Sequence, residues 1–422
     1  MSADEQHAES NPSPSEIPAD VEGLEFLGPD SAPDDSTPAQ LEPAEPPLPP
    51  AQRWLESLRR NPGPGLLEAA LWIIAFFVLQ IVMAIPTVLV LLSLQPAGAG
   101  PQRLDARLQQ LLEEQAAIFL GVPMFLTYCV LIPLGWYRQS PRTDLKLNFS
   151  APTLAQLLVS LSIVVPLGFI ADFLFINSEV WMERAAGDLL KGMRDGTDIR
   201  EALSKMKGAA LPVLLFVIAV IPAVGEEFLF RGLIGRGLIN RYGLIFGVGV
   251  TSILFALVHL YPPHVLAILP IGVVIHWVYL TSRSYWLPML LHFANNAIAT
   301  LAMTFSEEGD VVQETSLLVV LISAAYVIGA MAVLWQLRVR YIDPQLAPEG
   351  SHHPQPEPLL ATDDITEDTL PGTPVPVLGA EAPPPKFGFQ RTCPAGNFSF
   401  VASAVAAVVL LAELAMLVQA FS

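Results

Sequence analysis

The chain has 422 residues, of which 52% are hydrophobic and only 15% charged, with a mean hydropathy of +0.50; soluble globular chains carry about 25% charged residues. Its apolar residues run in long unbroken stretches, which marks a multi-pass membrane protein and excludes a soluble multidomain enzyme or a nucleic-acid binder. The net charge of −18 lies in two stretches, since residues 1–50 hold twelve acids and no Lys or Arg, and residues 342–392 hold eight acids against Lys386 and Arg391.

In chain order, residues 1–60 read as a disordered, acidic, Pro-rich tail that cannot bury enough apolar surface to offset its ordering entropy. No signal peptide is expected, because mostly polar residues precede the first apolar run. Runs long enough for a hydrocarbon core of about 30 Å lie near 67–94, 114–137, 152–176, 209–230, 244–262, 264–281, 286–305, 316–337 and 398–421. The expected fold is an all-α polytopic membrane helical bundle, with about eight core spans in 61–341 and one appended C-terminal span in 398–422. Residues 342–397 read as a disordered, acidic, Pro-rich linker. Cys129 and Cys393 form no disulfide framework and no Cys-based metal site.

Basic residues orient the spans. Arg53, Arg59 and Arg60 precede the first run, Arg138, Arg142 and Lys146 follow the second, and Arg231, Arg236 and Arg241 follow the fourth. Arg283 follows the sixth run, and Arg338 and Arg340 the eighth. All lie on one side if the N-terminus is cytoplasmic, with the acidic loop Glu307-Glu308-Gly309-Asp310 opposite. The expected location is the plasma membrane.

Three groups of polar residues interrupt the apolar runs, and ionisable side chains there are functional candidates. In Glu226-Glu227-Phe228-Leu229-Phe230-Arg231, Glu227 and Arg231 stand i,i+4 with the acid first, the favourable order for an ion pair. Glu226 points about 100° away around the helix, without that partner, and suits a general base acting on water. A structural Glu–Arg clamp is the plainer reading of Glu227 and Arg231. In Phe255-Ala256-Leu257-Val258-His259, the His is a proton carrier, a metal ligand or a satisfied core residue. A turn at Tyr242-Gly243 would set Glu226 and His259 at similar depth on antiparallel helices. By helical rise, however, His259 lies about 25 Å from that turn while His292 lies only about 10 Å from Arg283, and those depths match only if the 231–246 hairpin projects from the membrane. In His292-Phe293-Ala294-Asn295-Asn296, His292 and Asn296 share a helix face. They could face an oxyanion or tie helices together.

The ordered trio EExxxR, FxxxH and HxxxN in residues 226–296 resembles the CPBP family of intramembrane proteases, also called the CAAX-protease and bacteriocin-processing family; the likeness covers roughly residues 110–340. It implies a membrane endopeptidase that hydrolyses a peptide bond by direct attack of water. Glu226 would activate the water, His259 help position it, and His292 with Asn296 stabilise the oxyanion. Glu227 and Arg231 would support the site. The implied substrate is a peptide or membrane protein within the lipid bilayer, and the acidic tails suggest protein partners. No nucleic acid and no cofactor is expected. A zinc-dependent version, with Glu226, His259 and His292 as ligands to Zn²⁺, is the alternative, though no HExxH pair is present. A non-catalytic scaffold and a proton-coupled transporter are the other readings, the latter without the internal symmetry transporters show.

One departure stands out. The family carries two small residues a turn apart between its second and third motifs, whereas here Gly272 is followed at i+4 by His276, which would face the same groove. His264 reads as interfacial, and Asp172 and Glu413 as structural or snorkelling acids.

Overall fold

The computed structural model describes residues 62–94, 114–139, 149–197, 209–305, 315–342 and 390–420, together with 53, 206, 374 and 375. Most of the tail 1–60, most of the linker 342–397 and the acidic loop at 307–310 lie outside the described residues.

All nine apolar runs are helical. They form α1 (Leu66–Leu94), α2 (Ala116–Gln139), α3 (Leu154–Leu161) with α4 (Val164–Thr197), α5 (Leu211–Tyr242), α6 (Leu244–Leu257), α7 (Pro262–Ser282), α8 (Trp286–Phe305), α9 (Leu317–Gln336) and α10 (Asn397–Ala420). Seven described helical stretches are long and apolar enough to cross a membrane by length and composition, so this is a multi-pass membrane protein. In α8, His292, Asn295 and Asn296 dilute the hydropathy.

Local chemistry sets the boundaries. Thr153 and Gln156 close a capping box at the start of α3. Ser316 caps α9 by accepting from the Val319 N–H. Gly243, at φ 85°, supplies the left-handed turn between α5 and α6 that a β-carbon would disfavour. Pro262 and Pro263 occupy the first turn of α7, where their missing N–H groups cost nothing.

Helix α6 is only 14 residues long, about 21 Å by helical rise. It ends before His259, which lies in the tight turn Val258–Tyr261 with Leu260 at φ 62°.

Two large apolar clusters form most of the core among the described residues. One joins α3, α4, α7, α8 and α9 through Ile163, Leu167, Ile275, Val278, Leu291 and Leu334. The other joins α1, α2, α5, α6 and α7 through Phe76, Leu131, Leu229, Phe230, Leu233 and Phe255. The most apolar windows of α5 and α7 are 67% and 61% buried, against 11% for α1 and α10, so α5 and α7 are the inner helices. Helix α10 lies against α3, with Ala406 and Glu413 buried.

The chain entering α10 is pinned rather than free. Strands β1 (Arg340–Ile342), β2 (Pro374–Val375) and β3 (Gln390–Thr392) form a small antiparallel sheet in the order β2-β1-β3. The final residues of the stretch read as linker are therefore strand, tied to the end of α9.

Candidate active site

The site forms where α5 meets α6, α7 and α8. Helix α5 is not regular. It carries two π segments, Phe216–Val220 and Glu227–Gly235. Such bulges cluster at functional sites because they re-aim side chains and release backbone groups.

The second π segment begins at Glu227, whose Oε1 accepts from Arg231 Nη1 at 2.9 Å, with both side chains fully buried. The same Oε1 lies 2.8 Å from His292 Nδ1. Arg231 is anchored twice more: Nη2 donates to the Gly272 carbonyl at 2.9 Å, and its guanidinium lies 4.3 Å from the centre of the Phe255 ring. This clamp gathers α5, α6, α7 and α8 around one charge pair.

Glu226 is also buried, at 8% exposure. Its Oε2 has no hydrogen-bond partner among the described residues, and His292 Nε2 stands 3.9 Å away. His292 thus lies between the two carboxylates, one nitrogen toward each. Because Glu227 is paired with Arg231 and acts as acceptor, Nδ1 is the donor in the shorter contact, which aims Nε2 toward Glu226.

Asn296 lies one turn further along α8. Its Nδ2 donates to the Ile218 carbonyl at 3.0 Å, and its Oδ1 accepts from Asn295 at 3.2 Å. The sequence explains why that carbonyl is available. Four residues beyond Ile218 stands Pro222, which has no N–H to offer it. One proton of the Asn296 amide is engaged in this way, and the other meets no acceptor among the described residues.

His259 contacts the site through Phe255. Its Nδ1 lies 3.0 Å from the Phe255 carbonyl. The Phe255 ring stands 5.5 Å from the His259 ring and 5.8 Å from the His292 ring, edge to face in both cases. The His264 ring is 5.0 Å from that of His259. No direct hydrogen bond joins His259 to either carboxylate among the described residues.

Other polar residues fall elsewhere. His276 does not line the groove; it is fully buried against Gly235, where an added Cβ would stand 2.6 Å from its Cε1. Asp172 accepts from Thr315 at 2.9 Å, away from the site. Glu413 is buried on α10 near Tyr326. Sequence reading passed over the Gly272 and Ile218 carbonyls and the Phe255 ring as partners. Only Pro222 carried a readable signal, for Ile218.

Among the described residues, no group of three or more His, Cys, Asp or Glu side chains is placed to hold a metal ion.

Residues 208–298 match the family described as "Type II CAAX prenyl endopeptidase Rce1-like". The chain is also 24% identical over 92 residues to a Bacillus subtilis protein named "Putative membrane peptidase YdiL". That match covers 22% of this chain and 38% of the relative, so the chain spans well under half the length of the curated relative it matches. No solved structure matches the chain. Both matched segments support the resemblance to CPBP and CAAX proteases carried by the motif trio.

Proposed function

We propose that this protein is an intramembrane endopeptidase that hydrolyses a peptide bond with water activated by Glu226. The observation that carries the reading is the pair of buried carboxylates in two different states of partnership. Glu227 is held through Oε1 by Arg231 and His292, with only its Oε2 unpartnered, whereas Glu226 has no ion-pair or hydrogen-bond partner closer than His292 Nε2 at 3.9 Å among the described residues. The first neutralises and positions; the second is available to take a proton.

In the reaction, Glu226 accepts a proton from water while the water oxygen bonds to the peptide carbonyl carbon. The carbonyl electrons move to oxygen. His292 and the second N–H of Asn296 stabilise that oxyanion. Collapse breaks the carbon–nitrogen bond, and the leaving amine takes the proton from Glu226. His259, with Nδ1 on the Phe255 carbonyl, presents Nε2 to the water. No acyl-enzyme forms. The donor arrangement supports chemistry without a metal, and Zn²⁺ dependence is the competing version.

The substrate class is a peptide segment presented from the bilayer, prenylated or not. The basic residues at the span ends support a cytoplasmic N-terminus in the plasma membrane.

The test is cleavage of a library of quenched-fluorescent membrane peptides, farnesylated and plain, by the purified protein in detergent. Wild type and Glu226→Gln are compared with and without chelator. Cleavage that vanishes in the variant and ignores the chelator is expected. Cleavage abolished by chelator and restored by Zn²⁺ would move the mechanism to a metal.

A further inference from the structure

Tyr128, on α2, takes no part in the three motifs, yet it is built into the same place. Its ring lies flat against the backbone of Gly225, where an added Cβ would fall 2.3–2.4 Å from Cγ, Cδ1 and Cδ2. Glycine is required there because α2 and α5 approach too closely for any side chain. On its other side the ring meets Phe76 at 5.7 Å between centroids. Tyr128 is 4% exposed, and its hydroxyl has no hydrogen-bond partner among the described residues. The charged groups that act on that hydroxyl are Glu226 and Glu227.

A buried phenol without a partner is unusual, because desolvating an unsatisfied hydroxyl is costly. Here the Tyr128 ring packs on Gly225, the residue before Glu226, and the Tyr128 hydroxyl, Glu226 Oε2 and Glu227 Oε2 are all buried without a partner among the described residues. The carboxylate oxygen of Glu226 only accepts, and the phenol both donates and accepts. A water between them would satisfy both, giving one proton to the carboxylate and receiving the phenol proton on a lone pair. His292 and Asn296 sit on α8, while Tyr128 approaches over Gly225 from α2.

We propose that Tyr128 is a further catalytic residue of the hydrolytic site, its hydroxyl donating a hydrogen bond to the water that Glu226 activates. The phenol transfers no proton in this role; it fixes the water, and the proton passes from water to Glu226 as in the reaction above. The inference rests on the glutamate-protease reading.

The test joins two measurements. Tyr128→Phe keeps the ring against Gly225 and Phe76 and removes only the hydroxyl. On a peptide cleaved by wild type, kcat is expected to fall about 10- to 100-fold with KM within about twofold, the pattern of a contact made in the transition state. Unchanged kcat in a variant with wild-type melting temperature would overturn the assignment. The second measurement needs neither activity nor a substitution of the phenol. 3-Fluorotyrosine is placed at 128, and its ¹⁹F resonance is compared in wild-type and Glu226→Gln backgrounds. The resonance is expected to move at 128 and to stay fixed at the exposed Tyr137. A resonance at 128 indifferent to Glu226→Gln sinks the proposal. A Glu226→Gln enzyme that still cleaves overturns the glutamate reading itself. An inactive Glu226→Gln beside a fully active Tyr128→Phe overturns the Tyr128 assignment alone.

Discussion

His292 Nδ1 stands 2.8 Å from Glu227 Oε1, the oxygen that also receives Arg231 Nη1 at 2.9 Å. One carboxylate oxygen thus joins the first and third motifs and fixes which nitrogen of His292 faces Glu226. The two adjacent glutamates therefore have separable roles. Glu227→Gln leaves the Arg231 guanidinium buried without its counter-charge, a change that typically costs about 3–5 kcal/mol. It should lower thermal stability in detergent and abolish cleavage together. Glu226→Gln should abolish cleavage with a melting temperature close to wild type. Equal melting temperatures for the two variants would contradict this division.

Arg231→Lys keeps the charge but loses the planar fork that reaches Glu227 and the Gly272 carbonyl while resting on Phe255. Destabilisation and loss of most activity are expected despite the conserved charge. A lysine variant that melts and cleaves like wild type would show that charge alone is needed.

Asn296 is held by a carbonyl that Pro222 leaves without its helical N–H. Pro222→Ala supplies that N–H, which competes with the Asn296 amide for the Ile218 carbonyl. Cleavage is expected to fall in Pro222→Ala although no site residue has changed. Asn296→Ala should cost about 10²- to 10³-fold in kcat, the scale of a lost oxyanion donor. Kinetics on a single cleavable peptide would check both, and undiminished kcat in Asn296→Ala would remove it from the oxyanion role.

Gly235 packs on His276, and an added Cβ would stand 2.6 Å from the imidazole Cε1 and 2.8 Å from the Phe230 carbonyl oxygen. Gly235→Ala should therefore destabilise by about 1–3 kcal/mol through overpacking. Gly249 has open space around it, so Gly249→Ala is the control and should leave the melting temperature nearly unchanged.

Cys393 lies just after β3 and donates its Sγ–H to the Leu337 carbonyl at 3.1 Å. Burial pushes its thiol up from the ordinary value, outweighing the neighbouring Arg391 and Thr153, which act the other way. A raised thiol pKa means less thiolate at neutral pH, so maleimide labelling at pH 7 should be slow and should accelerate as pH rises. Replacing Tyr341 by Pro, which breaks β1, should speed labelling at pH 7. Rapid labelling of the intact protein would show that the sheet does not hold this segment.

Much of the site was legible before any coordinates. Glu227 and Arg231 are four residues apart on one helix, and helical geometry alone brings them together. His292 and Asn296 share a face for the same reason. His259 was harder to read. Its run continues apolar to Pro262, so nothing in hydropathy marks the end of α6 at Leu257, and the turn depends on Leu260 adopting a left-handed backbone. His276 was misread because i+4 spacing from Gly272 does not say which neighbour each residue meets. Gly272 offers its carbonyl to Arg231, while the His276 ring rests on Gly235.

Hydropathy by itself determined that the chain is a helical membrane protein, since a backbone in hydrocarbon must satisfy its own hydrogen bonds and long apolar runs do so as helices. Sequence spacing likewise determined the pairs that lie within one helix. Only the tertiary structure decided which helices meet. The contact of His292 with Glu227, the anchoring of Arg231 on Gly272 and Phe255, and the seat of Tyr128 on Gly225 all cross between helices. Their rotation and depth are set by packing of whole faces around α5 and α7, a collective property that no local spacing encodes.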